Sequence, residues 1–160
     1  MNIQTVYKVT TKDCKSALSV GKNWVPELTV NYSTDSWAVP NIFDGFSCPL
    51  MAFATLDAAS RFFNRHDKFK DNWVIWQALG TNPQKKRRIV RTNNKFALWR
   101  ILAFWKGQSK SNVASRKFER TGFLTCSAIK LVKIVEPTSA TYSDLNKPAE
   151  SPYATQLPLV

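Results

Sequence analysis

Short runs of apolar and β-branched residues, bounded by turn-forming residues, recur along the chain and constrain its fold more than any other feature of the sequence. Residues 3–9 alternate, with Ile3, Thr5, Tyr7 and Val9 on one face, as is typical of a half-buried strand. Proline, Asp-Gly and Asn-Pro mark turns between the runs. Further strands are predicted over residues 28–32, 50–54, 72–79, 87–91 and 123–135, with Lys85 and Lys86 in the turn that precedes 87–91.

Two stretches have helical periodicity instead. Thr55 is a favourable N-cap for a helix whose apolar positions recur at helical spacing. A second helix is expected from Asn93 or Asn94 through Trp105. It is apolar nearly all round, so we expect it to be the most buried element of the fold.

These elements predict a single α+β domain over residues 1–136, with an antiparallel or mixed sheet and two helices. The 160 residues of the chain leave room for one domain, and its 6 Trp and 10 Phe predict a core built from large rings. Residues 137–160 contain four prolines and no glycine, and are predicted to form an extended, flexible tail.

The longest apolar segment, residues 96–105, is interrupted by Arg100 and falls short of the ~20 residues that span a bilayer. Residues 1–7 lack the basic start and apolar run of a signal peptide. We therefore expect no membrane association and a cytoplasmic location, which is the host cytoplasm if the protein is viral.

Positive charge is concentrated in one part of the chain. Residues 85–133, the basic block, carry 14 basic residues and 1 acidic residue, Glu119, whereas the whole chain carries a net charge of +12. Solvated surfaces usually mix both signs, because like charges repel one another. The imbalance therefore favours an anionic partner.

The favoured function is non-catalytic binding of nucleic-acid phosphates with little dependence on sequence. Arginine suits bidentate phosphate contacts and lysine suits point-charge contacts. No catalytic, cofactor-binding or metal-ligating residue is assigned, and oligomeric state is left open. The predicted phosphate contacts are Lys85, Lys86, Arg87, Arg88, Arg91, Lys110, Arg116, Lys117 and Arg120.

Other reactive side chains are few. His66 has Asp67 beside it in sequence, which is badly placed to orient it as a general base, so a surface histidine near a helix end is expected. Cys14, Cys48 and Cys126 form no C-x-x-C pair, which predicts three reduced thiols and no structural zinc site.

An enzymatic alternative is ADP-ribosyl transfer with NAD. Compact transferases of that kind pair a basic or aromatic residue on an early strand with a late-strand glutamate. Lys8 and Glu136 occur in this order, with Ser16 or Ser127 as the middle member. A further alternative is an inhibitor that binds an acidic host protein, or a virion component.

Trp73 and Trp76 fall on opposite faces of a predicted strand, and Trp99 and Trp105 lie on the apolar helix. Base stacking by any of the four is possible in principle. Burial in the core is the expectation for each.

Several short motifs occur in a familiar order in roughly the first 80 residues. They are Tyr7-Lys8-Val9, Ser16-Ala17, Tyr32, Trp37-Ala38-Val39-Pro40, Leu50-Met51-Ala52-Phe53, and Leu56, Ala59 and Phe62 at helical spacing. This order resembles small uncharacterised proteins of bacteriophages and large DNA viruses. The resemblance implies a viral accessory origin and an α+β fold, and it carries no function.

The last five residues resemble the peptide by which partners dock on bacterial sliding clamps. In that motif, glutamine enters one pocket and two or three apolar side chains enter another. The matching residues here are Gln156, Leu157 and Leu159, while Val160 stands where a bulkier residue is usual. The motif implies clamp docking through the tail.

Overall fold

Strands hold more residues than helices in the part of the chain that the structure describes. The structure is a computed structural model, and it describes residues 1–17, 28–43, 45–85, 102–103, 106–107 and 122–139. A short 3₁₀ helix, Asp67–Asn72, follows the α-helix. The other elements are β1 (Ile3–Thr11), β2 (Ile42–Phe43), β3 (Phe46–Ser47), β4 (Leu50–Phe53), α1 (Leu56–Arg65), β5 (Trp73–Thr81), β6 (Gln84–Lys85), β7 (Phe123–Cys126) and β8 (Ile129–Val135).

The main sheet has six strands in the order β6-β7-β4-β1-β5-β8. Neighbouring strands in this order run antiparallel, and β2 and β3 form a separate small hairpin. The longest pairing joins β1 to β5, from Ile3 opposite Thr81 to Thr11 opposite Trp73. The predicted α+β fold is therefore confirmed, and the sheet, predicted to be antiparallel or mixed, is antiparallel in the part of the chain that the structure describes.

Strands β5 to β8 form one bent two-stranded ribbon. Gly80 pairs with Ile129 and Gln84 pairs with Thr125, so the register continues unbroken from one half of the ribbon to the other. Between them, the Thr81 amide donates to the carbonyl of Ala128 at 3.0 Å. The single strand predicted over 123–135 is therefore wrong, because the ribbon bends between β7 and β8.

This ribbon closes the sheet. Its β6–β7 half lies at one end of the strand order and its β5–β8 half at the other, yet only two residues separate β7 from β8. The two ends of the sheet therefore meet, and the strands enclose a small interior filled by side chains. The packing is close at the bend: a Cβ at Gly80 would lie 2.7 Å from Cys126 Sγ.

Alternation along β1 separates the interior from the outer face. Val6 packs inside with Ala78 and Leu131, whereas Val9 packs outside against the aromatic residues beneath α1. The same alternation places Trp73 in the outer cluster and Trp76 against the inner one. The predicted opposite orientation of these two tryptophans is confirmed.

Helix α1 begins as predicted. The Thr55 hydroxyl accepts a hydrogen bond from the Ala58 amide at 3.2 Å, and Asp57 lies in the first turn. The helix covers one end of the outer face, where Phe62 stacks on Trp73 with centroids 5.6 Å apart. The remainder of that face is not covered by α1.

Three predicted elements differ from the structure. Residues 28–32 form no strand, since Asn31 makes only an isolated bridge to Lys15. One α-helix is seen in the described residues and not two. Of the second predicted helix only Leu102 and Ala103 are described, and these are helical but half-buried. Lys85 lies in β6 rather than in a turn, and the predicted strand over 87–91 lies outside the described residues.

The chain beyond β8 packs against α1. The Thr138 amide donates to Ser60 Oγ at 2.9 Å, and Asn64 Nδ2 donates to the Thr138 carbonyl at 3.3 Å. The Thr138 hydroxyl donates to Asp57 Oδ1 at 3.1 Å. Helix α1 thus holds Thr138 at three points, two residues past the predicted domain boundary at 136. Residues 140–160 of the predicted tail lie outside the described residues.

A chain that ends at Glu136 is expected to be less stable than one that ends at Ser139. The fully buried Ser60 hydroxyl would lose a partner, which costs about 1–3 kcal/mol. Urea denaturation of the two truncated chains measures the difference. Thr138→Ala in the longer chain is the control and should cost less, because it removes only the exposed bond to Asp57. Equal midpoints for the two truncated chains would contradict this prediction.

Candidate nucleic-acid interface

Most of the predicted phosphate contacts lie outside the described residues. Lys85 is the exception: it is exposed on β6, opposite Leu124. The other eight predicted contacts lie outside: Lys86, Arg87, Arg88, Arg91, Lys110, Arg116, Lys117 and Arg120. Trp99 and Trp105 lie outside as well. The same is true of the predicted clamp-binding residues of the tail, which are Gln156, Leu157, Leu159 and Val160.

Two lysines of the basic block that were not among those contacts lie together on β8. Lys130 pairs with Leu79 and Lys133 pairs with Gln77, and these partners are two residues apart on β5. Simple alternation places residues 130 and 133 on opposite faces. The register shift between Gln77 and Ala78 inserts an extra residue in β8, and a bulge of this kind reverses the alternation. Both lysines therefore lie on the outer face.

The segment before β2 adds a tryptophan beside these lysines. Ala38 exchanges backbone hydrogen bonds with Ile129 at 2.8 and 3.0 Å, and both residues are buried in the interior. Their neighbours therefore point outward, and the antiparallel register sets Trp37 opposite Lys130. The Trp37 side chain is 37% exposed.

Together these residues form what we call the open outer face, the part of the sheet that α1 leaves uncovered. Among the residues that the structure describes, an ion pair joins Lys15 to Asp13, whereas neither Lys130 nor Lys133 has a carboxylate partner there. Glu136 follows β8, and by alternation it lies on the other side from Val135. The open outer face consists of Thr5, Tyr7, Trp37, Gln77, Leu79, Lys130 and Lys133.

Lys8, the first residue of the proposed ADP-ribosyl-transfer set, lies in the interior. Its side chain is 7% exposed. Its Nζ donates to the Met51 carbonyl at 2.6 Å and lies 4.7 Å from the centre of the Tyr32 ring. These contacts satisfy part of the bonding capacity of the ammonium group in an otherwise apolar interior.

The structure separates the two serines proposed for the same set. Ser127 lies at the ribbon bend, before the first residue of β8, whereas Glu136 follows the last residue of β8. The length of β8 therefore separates Ser127 from Glu136. Ser16 forms a bridge to Thr10 at the other end of the sheet. The sheet register places Glu136 in the same row of residues across the strands. Lys8, Ser16 and Glu136 thus share one end of the sheet.

The remaining reactive side chains, His66 and the three cysteines, have the surroundings of residues that support the fold. His66 lies 4.8 Å from the Phe62 ring centre and 5.4 Å from that of Trp73, and burial together with Arg65 lowers its pKa. In the part of the chain described, no hydroxyl or thiol hydrogen-bonds to its ring. All three cysteines are free, and burial raises the pKa of both Cys48 and Cys126 to about 11.

The described residues contain no group of His, Cys, Asp and Glu side chains that could hold a metal ion. Within the same residues, no helix has the length and apolar character needed to cross a membrane.

Comparison of the chain with protein-family models, curated proteins and solved structures finds no match. The resemblance to phage and large-DNA-virus proteins therefore stays a prediction. The structure defines the class: a basic α+β protein whose described residues form a closed antiparallel sheet with an outer face that α1 covers only in part.

Proposed function

We propose that this protein binds nucleic acid without catalysis, through phosphate contacts that depend little on base sequence. The observation that carries this proposal is the placement of Lys130 and Lys133 on one open face, with no carboxylate partner among the described residues. Two unpaired like charges on one surface repel each other, and an anionic partner relieves that repulsion.

The charge of the surrounding chain supports the same partner. The two lysines belong to the basic block, whose 14 basic residues face a single acidic residue in sequence. A polyphosphate backbone supplies many closely spaced negative charges, and its condensed counterions are released when lysine or arginine replaces them. Phosphate contacts carry no sequence information directly, so weak base selectivity is expected.

The test is a salt titration of duplex DNA binding. We expect roughly four to six phosphate contacts and a slope of log affinity against log salt of about −4 to −5. Replacing Lys130 and Lys133 with Ser is expected to flatten this slope by nearly two units, since each duplex phosphate contributes about 0.9. Fluorescence anisotropy of a labelled duplex measures both quantities.

The matched control is the double replacement of Lys12 and Lys15 with Ser. Both lysines are exposed and precede the basic block, and the change in net charge is the same. It should leave the slope nearly unchanged. Absence of binding at low salt, or equal effects of the two double variants, would contradict the proposal.

ADP-ribosyl transfer is the second candidate, and one observation favours it. The sheet register brings Lys8, Ser16 and Glu136 to the same end of the fold. Release of nicotinamide from NAD by the purified protein, lost in Glu136→Gln, would support this candidate over simple binding.

A further inference from the structure

Trp37 is placed unlike the large aromatic residues of the outer cluster. Phe53, Phe62, Phe69 and Trp73 contact one another's rings beneath and beside α1. Trp37 has no ring contact or hydrogen bond with the described residues, and more than a third of its side chain is exposed. A large apolar ring left in water at a fixed position is available for a ligand.

The backbone around Trp37 is held firmly. The two hydrogen bonds between Ala38 and Ile129 tie this segment to β8, and the Ser33 carbonyl accepts a third from the Leu131 amide at 3.0 Å. The ring is therefore presented from sheet-like backbone rather than from a free loop. A preformed surface loses less conformational entropy when a partner binds.

Cations flank the ring on one side. Lys130 is the cross-strand neighbour of Trp37, and Lys133 lies about 7 Å further along β8, since the β5 partners of the two lysines are two residues apart at about 3.3 Å per residue. An aromatic ring beside a row of cations is the combination that single-stranded nucleic acid requires, since bases stack on the ring while phosphates meet the charges.

We propose that the open outer face binds single-stranded nucleic acid, with one base stacked on Trp37 and the neighbouring phosphates at Lys130 and Lys133. This inference rests on the proposed nucleic-acid binding and names its substrate class. In a duplex the faces of the bases are covered by their neighbours, whereas a single strand offers them to an aromatic side chain. The positive charge of the face favours this occupant over an apolar protein surface.

The experiment compares three labelled probes of equal length: an oligothymidylate strand, an abasic strand and a duplex. The native protein is expected to bind oligothymidylate at least about fivefold more tightly than the abasic strand, the lower limit for one base stacked on an aromatic ring. Trp37→Ala should abolish this preference and leave the salt slope unchanged. Trp37→Phe should retain much of it, because phenylalanine also stacks.

Val39→Ala is the matched control. Val39 is 62% exposed, and because Ala38 between them points to the interior, Val39 and Trp37 lie on the same face of this segment, but Val39 has no ring. Its replacement should leave all three affinities unchanged. Equal losses in Val39→Ala and Trp37→Ala would overturn the stacking proposal and indicate an apolar docking surface for a protein.

The outcomes separate the two proposals. Salt-dependent binding that is equal for oligothymidylate and the abasic strand would overturn base stacking and leave phosphate binding intact. No binding of any probe at low salt would overturn both. The comparison of probes on the native protein holds even if a variant fails to fold.

Discussion

Replacing Lys85, Lys86, Arg87 and Arg88 together with Ser is expected to weaken nucleic-acid binding across all sequences. The salt slope for duplex should flatten by two or more units, since each phosphate that is no longer neutralised removes about 0.9 from it. Fold stability should hardly change or should rise, because crowded like charges are relieved. Anisotropy titrations at several salt concentrations and a thermal melt measure the two effects.

This fourfold variant also separates the two parts of the basic block. If it flattens the slope while the Lys130 and Lys133 double variant does not, the phosphate contacts lie in the segment that begins at Lys85, and the open outer face is not the site. If both variants flatten the slope, the bound duplex contacts both parts of the basic block. A nucleic-acid affinity that changes neither with salt concentration nor in either variant would favour an acidic protein partner or the enzymatic alternative.

Trp73→Ala is expected to be the most destabilising single substitution considered. Trp73 is 3% exposed, and its ring stacks between Phe62 and Phe69, with centroids 5.6 and 5.4 Å away. Truncation of such a residue costs about 3–5 kcal/mol through lost burial and the cavity left behind. That is a large part of a typical total stability of about 5–15 kcal/mol.

Trp73→Phe is the control for this loss. It keeps an aromatic ring between Phe62 and Phe69 and removes the indole N–H, which is buried without a hydrogen-bond partner among the described residues. The loss of stability in Trp73→Phe should therefore be clearly smaller than in Trp73→Ala. Urea denaturation, with the midpoint shifted and the slope unchanged, gives both values. A Trp73→Ala protein as stable as the native one would show that the aromatic cluster does not hold α1 on the sheet.

Local signals in the sequence predicted several elements well. The alternation of residues 3–9 identified β1, and the apolar run over residues 50–54 identified β4. Thr55 and the apolar spacing after it identified α1 with its cap. These elements are predictable because hydrogen bonds within a turn and side-chain alternation depend on neighbours in sequence.

Pairings between distant residues could not be predicted in this way. Residues 28–32 are apolar enough for a strand, yet Val30 and Tyr32 fill the interior while the segment makes a single isolated bridge, from Asn31 to Lys15. The run 123–135 has no internal proline or glycine that would mark the bend at Ser127. That bend arises because its two halves pair with strands at opposite ends of the sheet.

The candidate site divides in the same manner. The sequence by itself determined where the positive charge lies, since an excess of 13 positive charges within residues 85–133 follows from composition alone, and our prediction of an anionic partner rests on that excess. Only the tertiary structure decided which groups share a surface. The bulge in β8 turns Lys130 and Lys133 to one face, and the bridge from Ala38 to Ile129 sets Trp37 beside them. The physical reason is that charge is a property of each residue by itself. The face of the sheet on which a side chain lies, and the side chains beside it, depend on the backbone register between segments that are far apart in the chain.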